Sequence, residues 1–183
     1  MANVSTVQGL AELIKGDFSY ASKYEVEITF PGSLNFRQGI REITLRCDTV
    51  SIPGRNLRTV GDFNVYGPPI EVVQGQTFGE ISTSFYASSD MRERRIMEDW
   101  QDAVVDPNTF DLNYYDEYVG SLKVFLLDKK ETKVYGIELR EVYPKSIDVI
   151  ALGHASPNTI NKVGVSFQYR YWKRLDIGST VGL

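Results

Sequence analysis

The chain has 183 residues, of which 42% are hydrophobic and 24% are charged, and its 24 acidic and 20 basic side chains give a formal net charge of −4. This length suits one well-buried domain, the composition excludes wholesale disorder, and the acidic balance excludes nucleic-acid binding through a broadly basic surface. Cys47 is the single cysteine, which excludes an intrachain disulfide and predicts a reducing, cytoplasmic compartment. No apolar run approaches the ~20 residues of a membrane helix, and no signal peptide is predicted.

The first third of the chain predicts a short helix followed by two strands. Apolar residues recur at helical spacing over 5–15, so residues 1–17 are predicted to form an N-terminal helical arm. Residues 24–30 and 43–50 alternate apolar with polar side chains, which is typical of strands buried on one face only.

The middle third predicts an irregular segment, a hairpin and one helix. Residues 51–69 are rich in glycine and proline and predict either an extended loop or a loosely paired hairpin. Residues 70–74 and 80–87 are predicted to pair through the short connection between them. A helix is predicted over 90–106, with Asp90 and Glu93 as a capping pair.

The last third is dominated by strands. An acidic and aromatic stretch, 106–120, is predicted to be an ordered surface excursion whose tyrosines and carboxylates form either a protein-binding patch or an ordinary loop. Strands are predicted over 121–128 and 133–144, with Pro144 as the stop. The longest alternation, 161–174, sets Val163 to Tyr171 against Gly164 to Trp172, and residues 174–183 are predicted to be a C-terminal tail.

The residues that carry enzyme chemistry are scarce. His154 is the only histidine and Cys47 lies on an apolar strand face, where a small buried hydrophobe is the favoured interpretation over a catalytic pair. One cysteine and one histidine do not supply a zinc site, and the glycine-containing loops lack the lysine and the setting of phosphate-binding loops. Glu25 and Glu27 are paired carboxylates that favour a solvated face over a glycosidase-like pair. We therefore predict no enzyme activity, no catalytic residue, no cofactor and no metal.

In order, these segments resemble the tail tube proteins of contractile-tailed bacteriophages, a family related to the tubes of type VI secretion and injection systems. The resemblance covers about residues 18–172, and its most specific part runs from Gly75-Gln76-Thr77-Phe78 through the alternating strand to Asp99-Trp100-Gln101. Segment 31–42 is longer than the family pattern, and the C-terminal tail extends past it.

The resemblance implies a mainly β fold with two packed antiparallel sheets and a flanking helix. It also implies that the inner sheets of six subunits join into one barrel, and that these hexameric rings stack into an inner tail tube. Such a tube conducts DNA from capsid to host during contraction, so the expected location is the virion tail, after assembly in the host cytoplasm. The implied partners are other copies of the chain and the sheath, baseplate and tail-terminator proteins. The tape-measure protein and DNA would pass through the lumen without tight binding, and no membrane is involved.

Strands with the cleanest alternation, at 24–30, 43–50, 80–87 and 163–172, are the hypothesised lumen sheet. Their polar side chains are the lumen-facing candidates: Glu25, Glu27, Thr29, Thr44, Arg46, Asp48, Glu80, Ser82, Ser84, Ser166, Gln168 and Arg170. Their four carboxylates and two arginines predict a wall with net negative charge that repels DNA phosphates.

Two further sets of residues follow from the same resemblance. The segment 52–69 is hypothesised to contact the neighbouring ring through Arg55, Asn56, Arg58, Asp62, Asn64 and Tyr66. The helix is expected to brace the sheet through Met97, Trp100 and Val104. The rival hypotheses are a tube-initiator or baseplate ring, an injection-system or type VI secretion tube, and a monomeric ligand-binding β-barrel.

Overall fold

The structure is a computed structural model, and it describes residues 19–34, 40–62, 66–153 and 160–177. The strands and helices along these residues are β1 Tyr24–Thr29, α1 Ile40–Leu45, β2 Cys47–Val50, β3 Asn56–Asp62, β4 Ile70–Thr77, β5 Ile81–Tyr86, α2 Arg92–Asp102, α3 Tyr115–Tyr118, β6 Gly120–Leu127, β7 Lys133–Ile147, β8 Lys162–Gln168 and β9 Tyr171–Leu175. Every pair that these strands form is antiparallel, and the predicted mainly β class is confirmed. The predicted arm over 1–17 lies outside the described residues, and so does most of the predicted tail.

Strand order in the body is β1-β6-β7-β8-β5-β2, and β9 also pairs with β7. The 15-residue strand β7 pairs with β6 and β9 over its first part and with β8 over its last part. We call the strands β1, β6, β9 and the first part of β7 half-sheet 1. We call the strands β8, β5, β2 and the last part of β7 half-sheet 2.

The two half-sheets are separated by a bend in β7. The chain that pairs with β7 bends at the same place, between the end of β8 and the start of β9. Glu141 has a φ of 56°, in the left-handed region, and the core-facing side chains of β7 shift there from Leu139 to Val142. The partner strand changes face in step, so Trp172 packs against the core. The prediction that Tyr171 shares the apolar face and Trp172 the polar one is therefore wrong, because period-2 alternation does not continue through a bend.

One hydrophobic core lies between the half-sheets. Val26 and Ile28 of half-sheet 1 and Val165 and Phe167 of half-sheet 2 are all buried in it, which confirms the predicted core-facing residues of these strands. Helix α2 adds Ile96, Met97 and Trp100 to the same core.

Three local predictions are wrong. The strand predicted over 43–50 begins only at Cys47, because residues 40–45 form α1, whose Ile43 is buried in the core. Strand β4 pairs with β3 and not with β5, which pairs instead with β2 and β8. Pro144 does not stop β7: it lies opposite Phe167 of β8, next to a break in register between Pro144 and Ser146, and such an irregularity is where a sheet tolerates proline.

The helix predicted over 90–106 is shorter and is capped differently. It runs from Arg92 to Asp102 and follows Met91, whose φ is 52° and which makes no side-chain cap. Glu93 accepts hydrogen bonds from the amide and hydroxyl of Ser88, so Ser88 takes the part that we expected of Asp90.

Candidate functional site

The acidic side chains of β1 lie on the solvent side of half-sheet 1 and are ion-paired. Lys133 places its Nζ 2.9 Å from Glu27 Oε1 and 3.2 Å from Glu25 Oε2. Its hydrogen bond to Glu27 raises the pKa of Lys133, and its ammonium also lies 3.8 Å from the centre of the Phe125 ring. The single ammonium of Lys133 thus forms ion pairs with both carboxylates.

The other two acidic lumen candidates lie on half-sheet 2, so the four strands hypothesised to form one lumen sheet are divided: β1 belongs to half-sheet 1, and β2, β5 and β8 belong to half-sheet 2. These two carboxylates also face lysines. Lys162 Nζ lies 2.7 Å from Asp48 Oδ2, and this hydrogen bond lowers the pKa of Asp48. Lys145 forms an ion pair with Glu80. The net negative wall was counted without these lysines, so that charge count is wrong: each of the four carboxylates has a cationic partner.

The two arginine candidates are exposed, but each forms an ion pair within the chain. Arg46 lies in the turn between α1 and β2, and its Nη1 is 2.7 Å from Oε1 of the buried Glu93. Arg170 lies at the bend, with Nη1 3.1 Å from Glu141 Oε1. Two effects raise the pKa of Tyr115 to about 12: the larger is burial and the second is a hydrogen bond with Glu141. Both arginines therefore join separate elements of one chain.

The uncharged lumen-facing candidates of the strands lie on the polar faces, as predicted from the alternation. Thr29 and Ser82 are exposed, and Ser84, Ser166 and Gln168 are half-buried. In the pairing of β5 with β8, Ser82 lies opposite Ser166, which leaves a narrow polar strip without charges at the centre of half-sheet 2. Thr44 lies in α1 and therefore does not belong to this strip.

A two-stranded hairpin, β3–β4, projects from the body. Among the described residues, β3 pairs only with β4, and the apolar side chains of the hairpin are open to solvent: Leu57 is 55% exposed, Val60 47%, Ile70 61% and Val72 55%. Val60 lies opposite Val72, so these two side chains share one face of the hairpin, whereas the exposed Val73, opposite Thr59, lies on the other face. An isolated hairpin of this kind is marginally stable in water, and exposed apolar clusters mark interaction surfaces.

Residues predicted to contact a neighbouring ring occupy different parts of this hairpin. Arg55 lies at its base, with its guanidinium 4.4 Å from the Trp172 ring, and Asn56 and Arg58 belong to β3. Tyr66 lies at the tip and is 90% exposed. Asp62 ends β3, and Asn64 lies outside the described residues.

The helix stripe expected to brace the sheet is largely buried. Trp100 is fully buried: its ring centre lies 4.8 Å from that of Phe30, and its Nε1 donates a 2.7 Å hydrogen bond to the Tyr118 carbonyl. Met97 is also buried, whereas Val104 lies beyond the end of α2 and is half-buried. Ile96 and Glu93 complete the buried stripe and were missed, although the spacing 93, 96, 97, 100 is helical.

The surface excursion is ordered and exposes apolar side chains. Asp106 Oδ1 accepts a 2.8 Å hydrogen bond from the Asn108 amide, and an isolated β-bridge joins Val105 and Leu112. Phe110 and Tyr114 are 78% and 82% exposed. The segment thus presents an acidic and aromatic surface.

Cys47 has the properties of a structural thiol. Burial raises the pKa of Cys47 to about 12, so the thiolate is scarce at neutral pH. His154, the other member of the rejected catalytic pair, lies outside the described residues. The described residues contain no group of three metal-ligating side chains, and none of their helices is long and apolar enough to cross a membrane.

Comparisons with known proteins agree on one class. A family model described as "Phage tail tube protein" matches residues 19–175. No curated protein matches the chain. The fold is similar to a chain of the sheath-tube complex of an extracellular contractile injection system (PVC), with a TM-score of 0.65 and 11% identity over 90% of this chain and 96% of that one.

Two further solved structures have similar chains. The tube-terminating cap of the anti-feeding prophage gives a TM-score of 0.66 and 12% identity, covering 87% of this chain and 92% of that one. The anti-feeding prophage baseplate gives a TM-score of 0.61 and 11% identity, covering 87% of this chain and 97% of that one. At these identities the likeness concerns the fold.

Proposed function

Because the chain belongs to the phage tail tube protein family and is a structural protein of that class, we propose that it forms hexameric rings that stack into the inner tube of a contractile tail. In this proposal six copies close a β-barrel around a channel, and the tube conducts DNA from capsid to host. The chain acts as one tail-tube domain with 51–69 as its projecting segment and with no catalytic function.

The observation that carries the proposal is the β3–β4 hairpin. Its apolar side chains are exposed and its strands have no other strand partner among the described residues. A hairpin gains little stability alone, so its apolar face is expected to be buried by another molecule. In a stack of rings, that molecule is a copy of the chain in the next ring.

The partners follow from the same assembly. The similar chains come from a sheath-tube complex, a tube-terminating cap and a baseplate. We extend these contacts to this protein as a proposal: a sheath around the tube, a terminator at one end and a baseplate at the other. The tape-measure protein and then DNA occupy the channel.

Electron microscopy and size-exclusion chromatography of the purified protein test the ring. The expected result is ring-shaped particles with sixfold symmetry that associate into tubes at high concentration. A protein that stays monomeric at every concentration and salt level contradicts the proposal and favours the ligand-binding barrel.

Truncating the hairpin separates ring formation from stacking. Removing residues 59–74 and joining Arg58 to Gly75, which are cross-strand neighbours, through an Asn-Gly turn keeps the hairpin base. The truncated protein should form rings but no tubes in electron micrographs. Normal tubes from this variant contradict the assignment of stacking to the hairpin.

A matched pair of point variants tests which hairpin face matters. Val60→Asp places a charge on the face shared with Val72, and Thr59→Asp places one on the opposite face, opposite Val73. We expect Val60→Asp to shorten the tubes more than Thr59→Asp does. Equal effects would show that burial of the Val60 face does not drive stacking.

A tube of an injection or type VI secretion system is the second candidate, and the ion pairs on the polar faces favour it. Whichever half-sheet lines the channel, its carboxylates face lysines, Glu25 and Glu27 on half-sheet 1 and Asp48 and Glu80 on half-sheet 2, so the wall is not specialised to repel a polyanion. Imaging the native particles distinguishes the two candidates: a DNA-filled capsid on the tail supports the phage tube, whereas headless particles support the injection tube. A tube-initiator ring would be found only at the baseplate end.

A further inference from the structure

Half-sheet 1 carries a row of alternating charges across its strands. In the observed register Glu27 of β1 lies opposite Lys123 of β6, Lys123 lies opposite Glu138 of β7, and Glu138 lies opposite Lys173 of β9. Opposite charges placed directly across neighbouring strands attract, and like charges in the same positions repel. The row starts with an acid on one edge strand and ends with a base on the other.

Both edge strands have a strand partner on one side only. Among the described residues, β1 pairs only with β6 and β9 pairs only with β7. Lys173 is exposed, contacts the Tyr171 ring at 5.5 Å and makes no ion pair with any described residue. On the other edge, Glu25 and Glu27 share the single ammonium of Lys133.

Strand direction and charge together select one way of joining copies. Since four antiparallel strands end with edges that run in opposite directions, β9 of one copy can pair antiparallel with β1 of the next. That contact sets Lys173 beside Glu25 and Glu27. If β1 of one copy paired with β1 of another, carboxylates would face carboxylates. If β9 paired with β9, Lys173 of one copy would face Lys173 of the other.

We propose that Lys173 and the carboxylates of Glu25 and Glu27 form a charge pair between copies that specifies head-to-tail joining of β9 to β1. The proposal rests on the ring proposed above and names the edges that build it. Head-to-tail contacts generate rings or filaments, whereas the like-edge contacts would stop at dimers. Two registers, with Lys173 opposite Glu27 or opposite Glu25, keep apolar side chains on the core face, since they differ by two residues.

Disulfide trapping tests the edges directly. In a Cys47→Ser background, Lys173→Cys is combined with Glu27→Cys, and in a second protein with Glu25→Cys. One of these double variants should give a ladder of cross-linked species up to the full ring on non-reducing gels. The matching single-cysteine variants should give no ladder, and a strong dimer band from one of them overturns the proposal.

Charge reversal tests the specificity. Lys173→Glu should weaken ring formation at low salt by about two- to fivefold per contact, and less at high salt. Adding Glu25→Lys to Lys173→Glu should restore it, since Glu25 lies opposite the uncharged Phe125 and the Glu27–Lys133 pair is kept. Lys130→Glu, an exposed turn residue with the same change of charge, is the control and should leave ring formation unchanged.

The outcomes separate this proposal from the ring itself. Rings that form without any cross-linked ladder, and that are indifferent to Lys173→Glu, overturn the edge assignment and leave the ring standing. A protein that forms no rings at any concentration overturns both. Circular dichroism of each variant checks that the strands are retained, so that a misfolded variant is not counted.

Discussion

Glu93 is the one fully buried charged side chain among the described residues, with 1% of its surface exposed. Burial alone would raise the pKa of Glu93, but hydrogen bonds from the Ser88 amide and hydroxyl outweigh it, with help from the Arg46 charge. The resulting pKa is below its ordinary value. Through these contacts one carboxylate ties the first turn of α2 to the strand before it and to the α1–β2 turn.

Replacing Glu93 by glutamine should lower the free energy of unfolding by about 2 kcal/mol, because a buried, charge-assisted network loses its charge. Glu98→Gln is the control on the same helix. Glu98 pairs with Arg94 at 2.6 Å but is 46% exposed, so its loss should cost less than about 0.5 kcal/mol. Urea unfolding at neutral pH measures both, and equal losses would show that the buried network adds nothing.

The same variant has a defined pH dependence. Since the pKa of Glu93 is lower in the folded state, its contribution is complete above its ordinary value of 4.5 and is lost as the pH falls through the folded pKa. The difference in unfolding free energy between the wild type and Glu93→Gln should therefore be full at pH 7 and should shrink below about pH 4. A difference that stays constant down to pH 3 would contradict the ionised state of Glu93.

At the residue scale the sequence predicts which side chains are buried better than which side chains they contact. Alternation alone gives the buried positions Val26, Ile28, Val165 and Phe167. The partners of the charged candidates, such as Lys133 for Glu25 and Glu27, come from strands far along the chain. Ion pairs depend on register between distant strands, and no local pattern specifies that register.

At the scale of elements, helix α2 and the start of β6 form one packed unit. Gly120 begins β6 directly under the Trp100 indole: a Cβ built at Gly120 would lie 2.9 Å from Trp100 Cζ2 and 2.3 Å from the Thr29 carbonyl oxygen. Glycine is therefore required for this close approach of strand and helix. The indole fills the space that the missing side chain leaves.

Trp100→Ala should lower the free energy of unfolding by about 3–5 kcal/mol, through the lost packing and the cavity. The variant also leaves the Tyr118 carbonyl without its indole donor. Tyr114→Ala removes an aromatic side chain that is 82% exposed and should change stability by less than about 0.5 kcal/mol. If denaturant unfolding gives similar values for the two variants, α2 is not the brace that we expect.

Element types were predictable where the period is clean, and pairing was not. Residues 43–45 are predicted to start a strand because Ile43 and Leu45 alternate with polar residues, but they belong to a helical turn that places Ile43 in the core equally well. The short connection at 75–79 predicted a local hairpin, whereas β4 pairs with β3 across the longer segment 63–69. Pairing is decided by tertiary packing, which local turn chemistry does not encode.

At the scale of the whole molecule, the fold class follows from the alternation, whereas the ring and its stacking are a proposal that rests on the family. The described chain has one core, two half-sheets and a hairpin that projects without a strand partner in the body. In the tube that we propose, half-sheet edges would join subunits within a ring and hairpins would join one ring to the next. Its channel wall would then be the polar face of one half-sheet, and on both half-sheets the acidic lumen candidates are ion-paired with lysines.

Because the carboxylates on these polar faces are ion-paired with lysines, added positive charge is expected to change how the channel treats DNA. Ser82 and Ser166 lie opposite each other in the uncharged strip of half-sheet 2, away from the edge strands. Changing both to lysine adds two positive charges per subunit, or roughly twelve per ring of six, while leaving the proposed edge contacts intact. The polar faces of the two half-sheets lie on opposite sides of the core, so only one of them faces the channel. If that face is the one on half-sheet 2, the added charges bind phosphates within a Debye length of about 8 Å, and DNA ejection slows, most strongly at low salt. The control changes the same serines to glutamine, which has similar bulk and no charge, and should eject DNA at the wild-type rate. Ejection kinetics measured on variant particles whose tubes are intact by electron microscopy decide the matter, and equal rates for the lysine and glutamine variants would place this strip away from the DNA.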